Sequence, residues 1–315
     1  MKMTTPPDSV PYFTPETISE ALELINNKSN LSFISGATDV MVNRQQGNFE
    51  SDGLVDLTNI IELTTSCPDG DEYKIGAAVK LSEIIANPYI NQYFQVIIEA
   101  AKSVATPLIR NQATIGGNLL CENRCIFYNQ SALWREAAGY CLKCGGDICI
   151  ATGGKKSCLS KFVSDMAPAL ISLNAKVVMV DKDSESAIPL EDLYSGDGIK
   201  SKMIDRKSIL KFILLPLNQH IKSTFKKLRQ RKTLEFTSLT LASSLLTNHH
   251  IKIALSGIAP NPVVVTTEKG VPFDTIYEEI NRKAKIINND FFDRQYRKTM
   301  LKTYLVESLT ELNSL

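Results

Sequence analysis

Residues 113–118 read Ala-Thr-Ile-Gly-Gly-Asn, and about 80 residues before them residues 35–39 read Ser-Gly-Ala-Thr-Asp. Each stretch places small residues after an apolar or proline-broken segment. Glycine has no Cβ, so the amides of such turns can approach a phosphate closely and positive φ angles become accessible. Together the loops indicate a site that clamps one pyrophosphate from two sides, although either loop alone is equally consistent with a plain turn. The chain has no Gly-x-Gly-x-x-Gly motif, which argues against a Rossmann-type dinucleotide site.

The composition is that of an ordinary soluble globular protein. The 315 residues are 43% hydrophobic and 22% charged, with a formal net charge of +1. This balance argues against a nucleic-acid partner, and we interpret the basic run at 226–232 as a solvated strand end. No stretch approaches the roughly 18 to 20 apolar residues that span a bilayer. Because residues 1–8 also lack the apolar core of a signal peptide, we expect a cytoplasmic protein that does not contact membranes.

The spacing of apolar residues divides the chain into three regions. The first, to about residue 63, is predicted to be a helix between two strands. Thr14 or Thr17 can cap the helix, and strands are expected at 31–35 and 53–57. The second extends to Pro216, and the third begins at about residue 217. The other predicted elements are a helix at 91–104 that ends before Thr106-Pro107, ordered structure at 167–180, strands at 223–228 and 251–258, a rigid turn at 260–262, and helices at 272–287 and from 290 onward.

Six of the seven cysteines lie between positions 121 and 158, in a segment of weak periodicity. In a reducing compartment such cysteines are more often metal ligands than disulfides, and a metal would order a long loop. Two close pairs approximate a zinc ribbon, namely Cys121, Cys125, Cys141 and Cys144. Another quartet has 15, 7 and 8 intervening residues, namely Cys125, Cys141, Cys149 and Cys158. Spacing alone favours the zinc ribbon.

The two glycine loops resemble those of the flavoprotein subunits of the molybdenum hydroxylases, which carry Gly-Gly-Thr-Asp and, later, Thr-Ile-Gly-Gly-Asn. The likeness continues in order through residues 164–170, 225–227, 254–260 and 296–298. It implies an α+β fold with a two-lobed FAD-binding domain of the vanillyl-alcohol oxidase (PCMH) type, followed by a small α+β domain as in CO dehydrogenase flavoprotein. The implied boundaries are 1–216 for the first domain, with lobes of about 1–63 and 64–216 and the cysteine insert at about 121–160, and 217–315 for the second.

The resemblance also implies which residues contact FAD. Asp165 would accept hydrogen bonds from the cofactor, Lys227 would place a positive charge near the flavin, and Val104 and Leu210 would pack against it. The first loop departs from the family pattern, because its second glycine is Ala37 here and a methyl group narrows the approach to the phosphates. The loops supply the other contacts: Phe33, Ile34, Ser35, Gly36, Ala37, Thr38, Asp39, Val40, Ala113, Thr114, Ile115, Gly116, Gly117 and Asn118.

The insert resembles one group within this family, the β subunits of the 4-hydroxybenzoyl-CoA reductases, whereas most of the flavoprotein subunits lack it. The likeness rests on residues 123–131, 134–135, 140–143 and 146–149. It implies that the widely spaced quartet binds a [4Fe–4S] cluster, with Cys125, Cys141, Cys149 and Cys158 as ligands. Cys121 and Cys144 would then be neighbours that shelter the cluster. Nearby cations should favour its reduced form and nearby aromatic rings should exclude water, the candidates being Arg124, Arg135, Lys143, Phe127, Tyr128, Trp134 and Tyr140.

The function implied by the resemblance is electron transfer, with no general acid or base in this chain. Its partners would be a large molybdopterin-binding subunit and a small [2Fe–2S] subunit in a dimer of heterotrimers, with a ferredoxin as electron donor. The histidines at 220, 249 and 250 are expected to lie at the surface. Two alternatives stay open: an FAD subunit of another molybdenum hydroxylase, acting on a purine, an aldehyde or another aromatic compound and passing electrons to NAD or another acceptor, and a non-catalytic protein stapled by zinc.

Overall fold

The computed structural model of the protein describes residues 10–313, so the N-terminal segment considered above lies outside the described residues. Three β-sheets follow one another along the chain and helices pack against them, which makes the architecture α+β. Within the described range no helix combines the length and the apolar character that a membrane span requires.

The first sheet is small and parallel. Along the chain, the first glycine loop follows the second of its three strands. The strands are β1 (Tyr12–Phe13), β2 (Leu31–Ile34) and β3 (Gly53–Asp56), in the order β1-β3-β2. The helices are α1 (Ile18–Asn27), before β2, and α2 (Val40–Gln45), after the loop. Thr17 caps α1, because its hydroxyl accepts a hydrogen bond of 3.2 Å from the Glu20 N–H. The predicted helix and the two predicted strands are therefore confirmed, but the helix precedes both of those strands, and β1 was not predicted.

The second sheet is antiparallel and has the strand order β4-β5-β8-β6-β7. Its strands are β4 (Ser66–Asp69), β5 (Glu72–Gly76), β6 (Lys176–Val180), β7 (Glu185–Pro189) and β8 (Ile209–Pro216). The helices of this region are α3 (Leu81–Ala86), α4 (Pro88–Tyr93), α5 (Gln95–Ser103), α6 (Pro107–Arg110), α7 (Ile115–Leu119), α8 (Ala132–Ala138) and α9 (Met166–Ser172). Buried residues from these strands and helices form the largest apolar core among the described residues. Ala113 and Ile115 of the second glycine loop are part of this core.

The helix predicted over residues 91–104 is interrupted at Phe94. Its φ of −134° and ψ of 53° are not helical, so α4 and α5 are separate helices. The Phe94 ring is buried and lies 6.2 Å from the ring of Tyr73 and 5.5 Å from that of His220. The prediction of a surface position is therefore wrong for His220, since its imidazole is half-buried in a stack of rings.

The third sheet is antiparallel, with the order β12-β11-β10-β9. Its strands are β9 (His220–Leu228), β10 (Leu239–Leu246), β11 (His250–Ser256) and β12 (Val263–Glu268). The last two helices, α10 (Phe273–Lys283) and α11 (Arg294–Asn313), pack on this sheet and share an apolar core with it. The predicted strands near β9 and β11 and the two terminal helices are confirmed, whereas β10 and β12 were not predicted.

Strand β10 was not predicted from the sequence because both of its faces are buried. Every residue from 239 to 246 is buried, so the alternation of polar and apolar residues that marks a half-buried strand is missing. Ser244 donates a hydrogen bond of 2.9 Å to Ser172 of α9 on one face. On the other face Ser243 contacts Ser308 of α11. The strand therefore joins the second region of the chain to the C-terminal helix.

The cysteine insert leaves and re-enters the fold at a single point. The backbones of Arg124 and Lys161 exchange two hydrogen bonds of 2.9 Å, which clasp the two ends together. Within the insert the chain forms α8, capped by Ser131, and a 3₁₀ turn at Leu142–Cys144. The expectation of little regular structure is thus confirmed except for one short helix.

Candidate functional site

The two glycine loops lie against each other. A Cβ built on Gly36 would lie 1.9 Å from the carbonyl oxygen of Gln112 and 3.0 Å from the Cα of Ala113. The first of these distances is impossible for a Cβ, so the backbone of the first loop packs directly on the start of the second. The fold therefore brings together the two segments that the sequence analysis assigned to one ligand.

The second loop is fixed by hydrogen bonds at both of its ends. The Thr114 hydroxyl accepts from the Gly117 N–H (3.2 Å), and the Gly116 N–H donates to the Ala77 carbonyl (2.8 Å). At the other end, the Asn118 side-chain oxygen accepts from the Ser164 hydroxyl (2.7 Å) and from the Met166 N–H (3.3 Å). Asn118 thus joins the loop to the segment that contains Asp165.

The first loop contains a buried polar atom that no protein group satisfies. The Ser35 hydroxyl oxygen has no hydrogen-bond partner among the described residues. Buried hydroxyl groups are nearly always paired, so a ligand oxygen at this position would supply the missing partner. In the second loop, a Cβ built on Gly117 would meet only the Thr114 hydroxyl, at 3.0 Å. The backbone of Gly117 is therefore open to a ligand on that side. Both features fit a bound pyrophosphate.

Ala37 occupies a backbone conformation that glycine favours. Its φ is +55°, in the left-handed region, where the Cβ of an L-residue costs about 1–2 kcal/mol. The usual second glycine of this loop therefore has a conformational reason, in addition to the space that a ligand needs. The alanine makes the first loop strained in this chain.

Asp165 and Lys227 form a buried ion pair beside the second loop. The Lys227 Nζ lies 2.5 Å from a carboxylate oxygen of Asp165, and their side chains are 3% and 5% exposed. Thr240 donates a hydrogen bond of 2.9 Å to the other carboxylate oxygen, and Lys227 also donates to the Ser103 carbonyl (3.0 Å). The interpretation of 226–232 as a solvated strand end is therefore wrong for Lys227. The two residues that sequence analysis assigned separately to the flavin are held together.

Val104 and Leu210 belong to the same apolar core but differ in how far they are buried. Val104 is half-buried against the main core, and its carbonyl accepts a hydrogen bond of 2.6 Å from Arg110. Leu210 is 3% exposed and lies within the same core on β8. Contact between these two side chains and a cofactor remains a prediction.

Four cysteines line one pocket in the insert, together with Phe127, Tyr128 and Lys143. All four are free thiols; Cys125 is partly exposed and the other three are buried. Local hydrogen bonds place them, since the Cys125 N–H donates to Asn129 (3.0 Å) and the Cys149 N–H to the Gly154 carbonyl (2.7 Å). The four are those of the widely spaced quartet, Cys125, Cys141, Cys149 and Cys158.

The two remaining cysteines of the insert lie outside the lining of this pocket. Cys121 is buried, its carbonyl accepts from the Lys202 ammonium (2.6 Å), and burial raises the pKa of its thiol to about 12. Cys144 lies beside one of the quartet, with its Sγ 3.6 Å from the Sγ of Cys141. Between residues 10 and 313, no three His, Cys, Asp or Glu side chains converge closely enough to hold one metal ion. The arrangement groups the quartet around a shared space.

Comparison with known proteins identifies the family. Residues 5–218, more than half of the chain, match the protein family described as "FAD binding domain in molybdopterin dehydrogenase". The chain belongs to this family. Two similar curated proteins are the FAD-binding subunit of an aldehyde oxidoreductase from Escherichia coli (strain K12), 26% identical over 80% of this chain and 82% of that subunit, and the FAD-subunit of nicotinate dehydrogenase from Eubacterium barkeri, 24% identical over 71% and 64%.

Solved structures confirm the fold class of this FAD-binding chain. It superposes on reconstituted CO dehydrogenase from Oligotropha carboxidovorans with a TM-score of 0.75 and 18% identity, covering 97% of this chain and 98% of that one. Quinoline 2-oxidoreductase from Pseudomonas putida 86 gives 0.72 at 14% identity, covering 98% and 99%. The α+β fold with a PCMH-type FAD-binding domain is therefore established.

The cations near the cysteine pocket of this FAD-binding chain have other partners. Arg124 forms an ion pair with Asp39 of the first glycine loop, and the Lys143 ammonium lies 3.2 Å from the Glu122 carboxylate. Arg135 donates to the carbonyl of Gln46, at the end of α2 (2.9 Å). Two of the three positive charges that were expected to favour a reduced cluster are thus paired with carboxylates.

The aromatic residues of the insert divide into two groups. Phe127 and Tyr128 line the pocket, and Tyr128 is only 8% exposed. Trp134 and Tyr140 are 39% and 51% exposed, so the expectation that they exclude water is wrong. They lie on α8 and just after it, where the insert faces outward.

Gly198, which packs against the pocket cysteine Cys158, was not predicted from the sequence. A Cβ at this position would lie 2.5 Å from the carbonyl oxygen of Cys158 and 2.8 Å from its Sγ. The Gly198 N–H also donates to that carbonyl, at 3.1 Å. Because Gly198 is 40 residues further along the chain, within a run of polar residues, no sequence spacing indicated it.

Proposed function

We propose that the chain is the FAD- and [4Fe–4S]-containing electron-transfer subunit of a molybdenum enzyme of the 4-hydroxybenzoyl-CoA reductase type. The observation that carries the proposal is the pocket that Cys125, Cys141, Cys149 and Cys158 line together. It occupies an insert within a domain that belongs to an FAD-binding family.

The donor set of the pocket fits an iron–sulfur cluster. Four cysteine thiolates are the usual ligands of a [4Fe–4S] cluster. The zinc-ribbon alternative needs Cys121 and Cys144 as ligands, but neither lines the pocket, whereas Cys149 and Cys158 do. Burial raises the pKa of the Cys125 thiol to about 11, so binding must displace a proton that the thiol otherwise keeps.

The FAD assignment to individual residues rests on the junction of the two glycine loops. The Ser35 hydroxyl and the backbone around Gly117 would hold the pyrophosphate. Asp165 would accept hydrogen bonds from the cofactor, and Lys227 would place its positive charge near the flavin. The cofactor-binding set that we propose otherwise comprises Phe33, Ile34, Gly36, Ala37, Thr38, Asp39, Val40, Val104, Ala113, Thr114, Ile115, Gly116, Asn118 and Leu210.

The proposed reaction belongs to the whole complex rather than to this chain. The complex would reduce 4-hydroxybenzoyl-CoA to benzoyl-CoA in the cytoplasm, at a molybdopterin-binding large subunit. FAD and the cluster, when bound, would supply the electron transfer from a ferredoxin towards the [2Fe–2S] clusters of a small subunit. The assembly would be a dimer of heterotrimers, and we place the boundary between the two domains of this chain at 216/217. The names of the curated relatives support a multi-subunit setting, since each is an FAD subunit.

A second candidate is the FAD subunit of a different molybdenum enzyme. The relatives favour it, because their names specify an aldehyde oxidoreductase and a nicotinate dehydrogenase. The electron partner separates the two candidates. Reduction of the assembled complex by reduced ferredoxin, with no reaction towards NAD, supports the reductase, and rapid reduction of NAD supports the second candidate.

Anaerobic purification tests the proposal, with iron, zinc and FAD quantified per chain. We expect about four iron atoms and one FAD, with the broad absorbance of an iron–sulfur cluster beneath the flavin bands. A chain that carries FAD but no iron would remove the cluster and favour the second candidate. A colourless chain that carries zinc would overturn both.

A further inference from the structure

The sulfur of Cys144 lies against the sulfur of a pocket cysteine. Its Sγ is 3.6 Å from the Sγ of Cys141, and a disulfide requires about 2.05 Å, so the two atoms need to approach by only about 1.5 Å. Cys141 is 8% exposed and lines the pocket, whereas Cys144 is partly exposed and does not. The pair therefore connects the pocket to solvent.

The backbone holds both thiols on one tight turn. The Cys144 and Gly146 N–H groups donate to the Cys141 carbonyl at 2.9 and 3.0 Å. Gly145 has a φ of +85°, and a Cβ on Gly146 would lie 1.7 Å from the Tyr140 carbonyl oxygen, so both glycines are needed for this turn. Two thiols separated by two residues on such a turn form the arrangement found in redox-active cysteine pairs.

We propose that Cys141 and Cys144 are a reversible redox pair, which closes to a disulfide when the pocket cysteines are free of metal. A peroxide oxidises the accessible Cys144 thiol to a sulfenic acid and leaves as water. The Cys141 sulfur then attacks the Cys144 sulfur, the S–O bond breaks, and a second water is released. The two thiols together lose two electrons and two protons to one peroxide molecule, and a dithiol reductant reverses the change.

The bridge protects a pocket cysteine from irreversible oxidation to sulfinic or sulfonic acid. It also keeps Cys141 from binding metal until a reductant opens it. This second consequence rests on the proposed [4Fe–4S] site, but formation of the bridge does not. In a reducing compartment such a disulfide is transient, as redox-sensing disulfides generally are.

Peptide mapping of the full-length chain tests the bridge. The metal is removed by chelation, the chain is treated with one equivalent of hydrogen peroxide, and free thiols are alkylated before trypsin digestion. Trypsin cleaves after Lys143, between the two cysteines, so the bridge appears as linked peptides 136–143 and 144–155. Because the second peptide also contains Cys149, fragmentation of the linked species must assign the bridge to Cys144.

Matched variants give the same answer independently. The linked peptides should persist in Cys149→Ser and be lost in Cys144→Ser, while the exposed Cys67 stays alkylated throughout. Loss in Cys149→Ser with persistence in Cys144→Ser, or fragmentation that places the bridge at Cys149, would overturn the proposal. So would a wild-type chain in which both thiols remain alkylated after the oxidant.

The chain loaded with iron and sulfide separates this inference from the proposed function. If the cluster forms, the linked peptides should disappear from the oxidised sample, because the cluster occupies Cys141. If iron never binds but the bridge forms, the proposed function fails and the redox pair stands. If iron binds and the metal-free chain forms no bridge, the redox pair fails and the cluster stands.

Discussion

Asp39 and Arg124 form an ion pair that joins the first glycine loop to the base of the cysteine insert. Their side chains are 23% and 11% exposed, and the Arg124 guanidinium also lies 4.3 Å from the centre of the Phe236 ring. Arg124 immediately precedes Cys125, so the residue that pairs with the first glycine loop is the chain neighbour of a pocket cysteine. The region assigned to FAD and the pocket assigned to the cluster are therefore mechanically connected.

Replacement of Arg124 by Gln should weaken both FAD binding and cluster retention. The substitution leaves the largely buried Asp39 carboxylate without a charged partner. We expect the FAD dissociation constant to rise about tenfold, which corresponds to a loss of about 1.4 kcal/mol of binding free energy. FAD fluorescence titration and iron analysis measure the two effects. Lys74→Gln, in the exposed pair with Asp69, is the control and should change neither. Unchanged FAD affinity in Arg124→Gln would show that the pair does not support the flavin loop.

Replacement of Ala37 by Gly should stabilise the fold and tighten FAD binding. The left-handed conformation at φ +55° no longer carries a Cβ, and a gain of up to about 1 kcal/mol is expected. Urea unfolding and the FAD dissociation constant are the measurements. His249→Gly, at a φ of +62° in an exposed turn, should raise stability without changing FAD affinity. Weaker FAD binding in Ala37→Gly would mean that the methyl group supports the cofactor.

Replacement of Gly198 by Ala should remove the cluster and retain FAD. The new Cβ would lie 2.8 Å from the Cys158 Sγ and 2.5 Å from its carbonyl oxygen, so that cysteine must move. Gly154→Ala provides the comparison within the insert, because its Cβ would meet only the flexible Thr152 hydroxyl, at 3.3 Å. Iron content and the visible spectrum report the result. A full complement of iron in Gly198→Ala would remove Cys158 from the ligand set.

Substitution of single cysteines should distinguish the two candidate ligand sets. Cys158→Ser should abolish the iron–sulfur absorbance and leave the flavin spectrum, because one of four thiolates is lost. Cys144→Ser should keep both signals, since its thiol lies outside the pocket lining. The reverse pattern in the absorbance spectra would restore the zinc-ribbon spacing as the better interpretation.

Acid should reduce the contribution of the buried Lys161–Asp290 pair to stability. Burial alone would raise the pKa of Asp290, but the Lys161 ammonium outweighs burial and holds the pKa below its ordinary value of 3.8. The ionised carboxylate therefore stabilises the folded state above pH 3.8, and this contribution is lost as the pH falls through the lowered pKa. Asp290→Asn should cost about 3–5 kcal/mol at pH 7.

Urea unfolding of the wild type and Asp290→Asn between pH 7 and pH 3 checks this expectation. The difference between the two free energies of unfolding should be constant above pH 3.8 and should begin to narrow towards pH 3. Glu279→Gln, in the exposed pair with Lys283, serves as the reference and should cost well under 1 kcal/mol throughout. A difference that stays constant down to acid pH would assign the effect to packing.

The sequence was informative where chemistry imposes a local pattern. The glycines of the two adjoining loops and the hydroxyl cap at Thr17 could be predicted from the residues themselves. The four pocket cysteines could not, because cysteine spacing alone favoured the zinc ribbon and only the resemblance indicated the widely spaced quartet. Strand β10 could not, because burial on both faces erases its period. The contacts of Arg124 and Gly198 were equally hidden. Each depends on segments 85 or 40 residues away that only the folded chain brings together.

The backbone clasp between Arg124 and Lys161 has a consequence for how the insert can vary in length. Its two hydrogen bonds of 2.9 Å already hold the ends of the insert side by side. The number of residues between them can therefore vary without changing the distance that the two ends of the insert must span. Changes of length within the insert should be tolerated best where it makes no contact with the glycine loops or with Gly198.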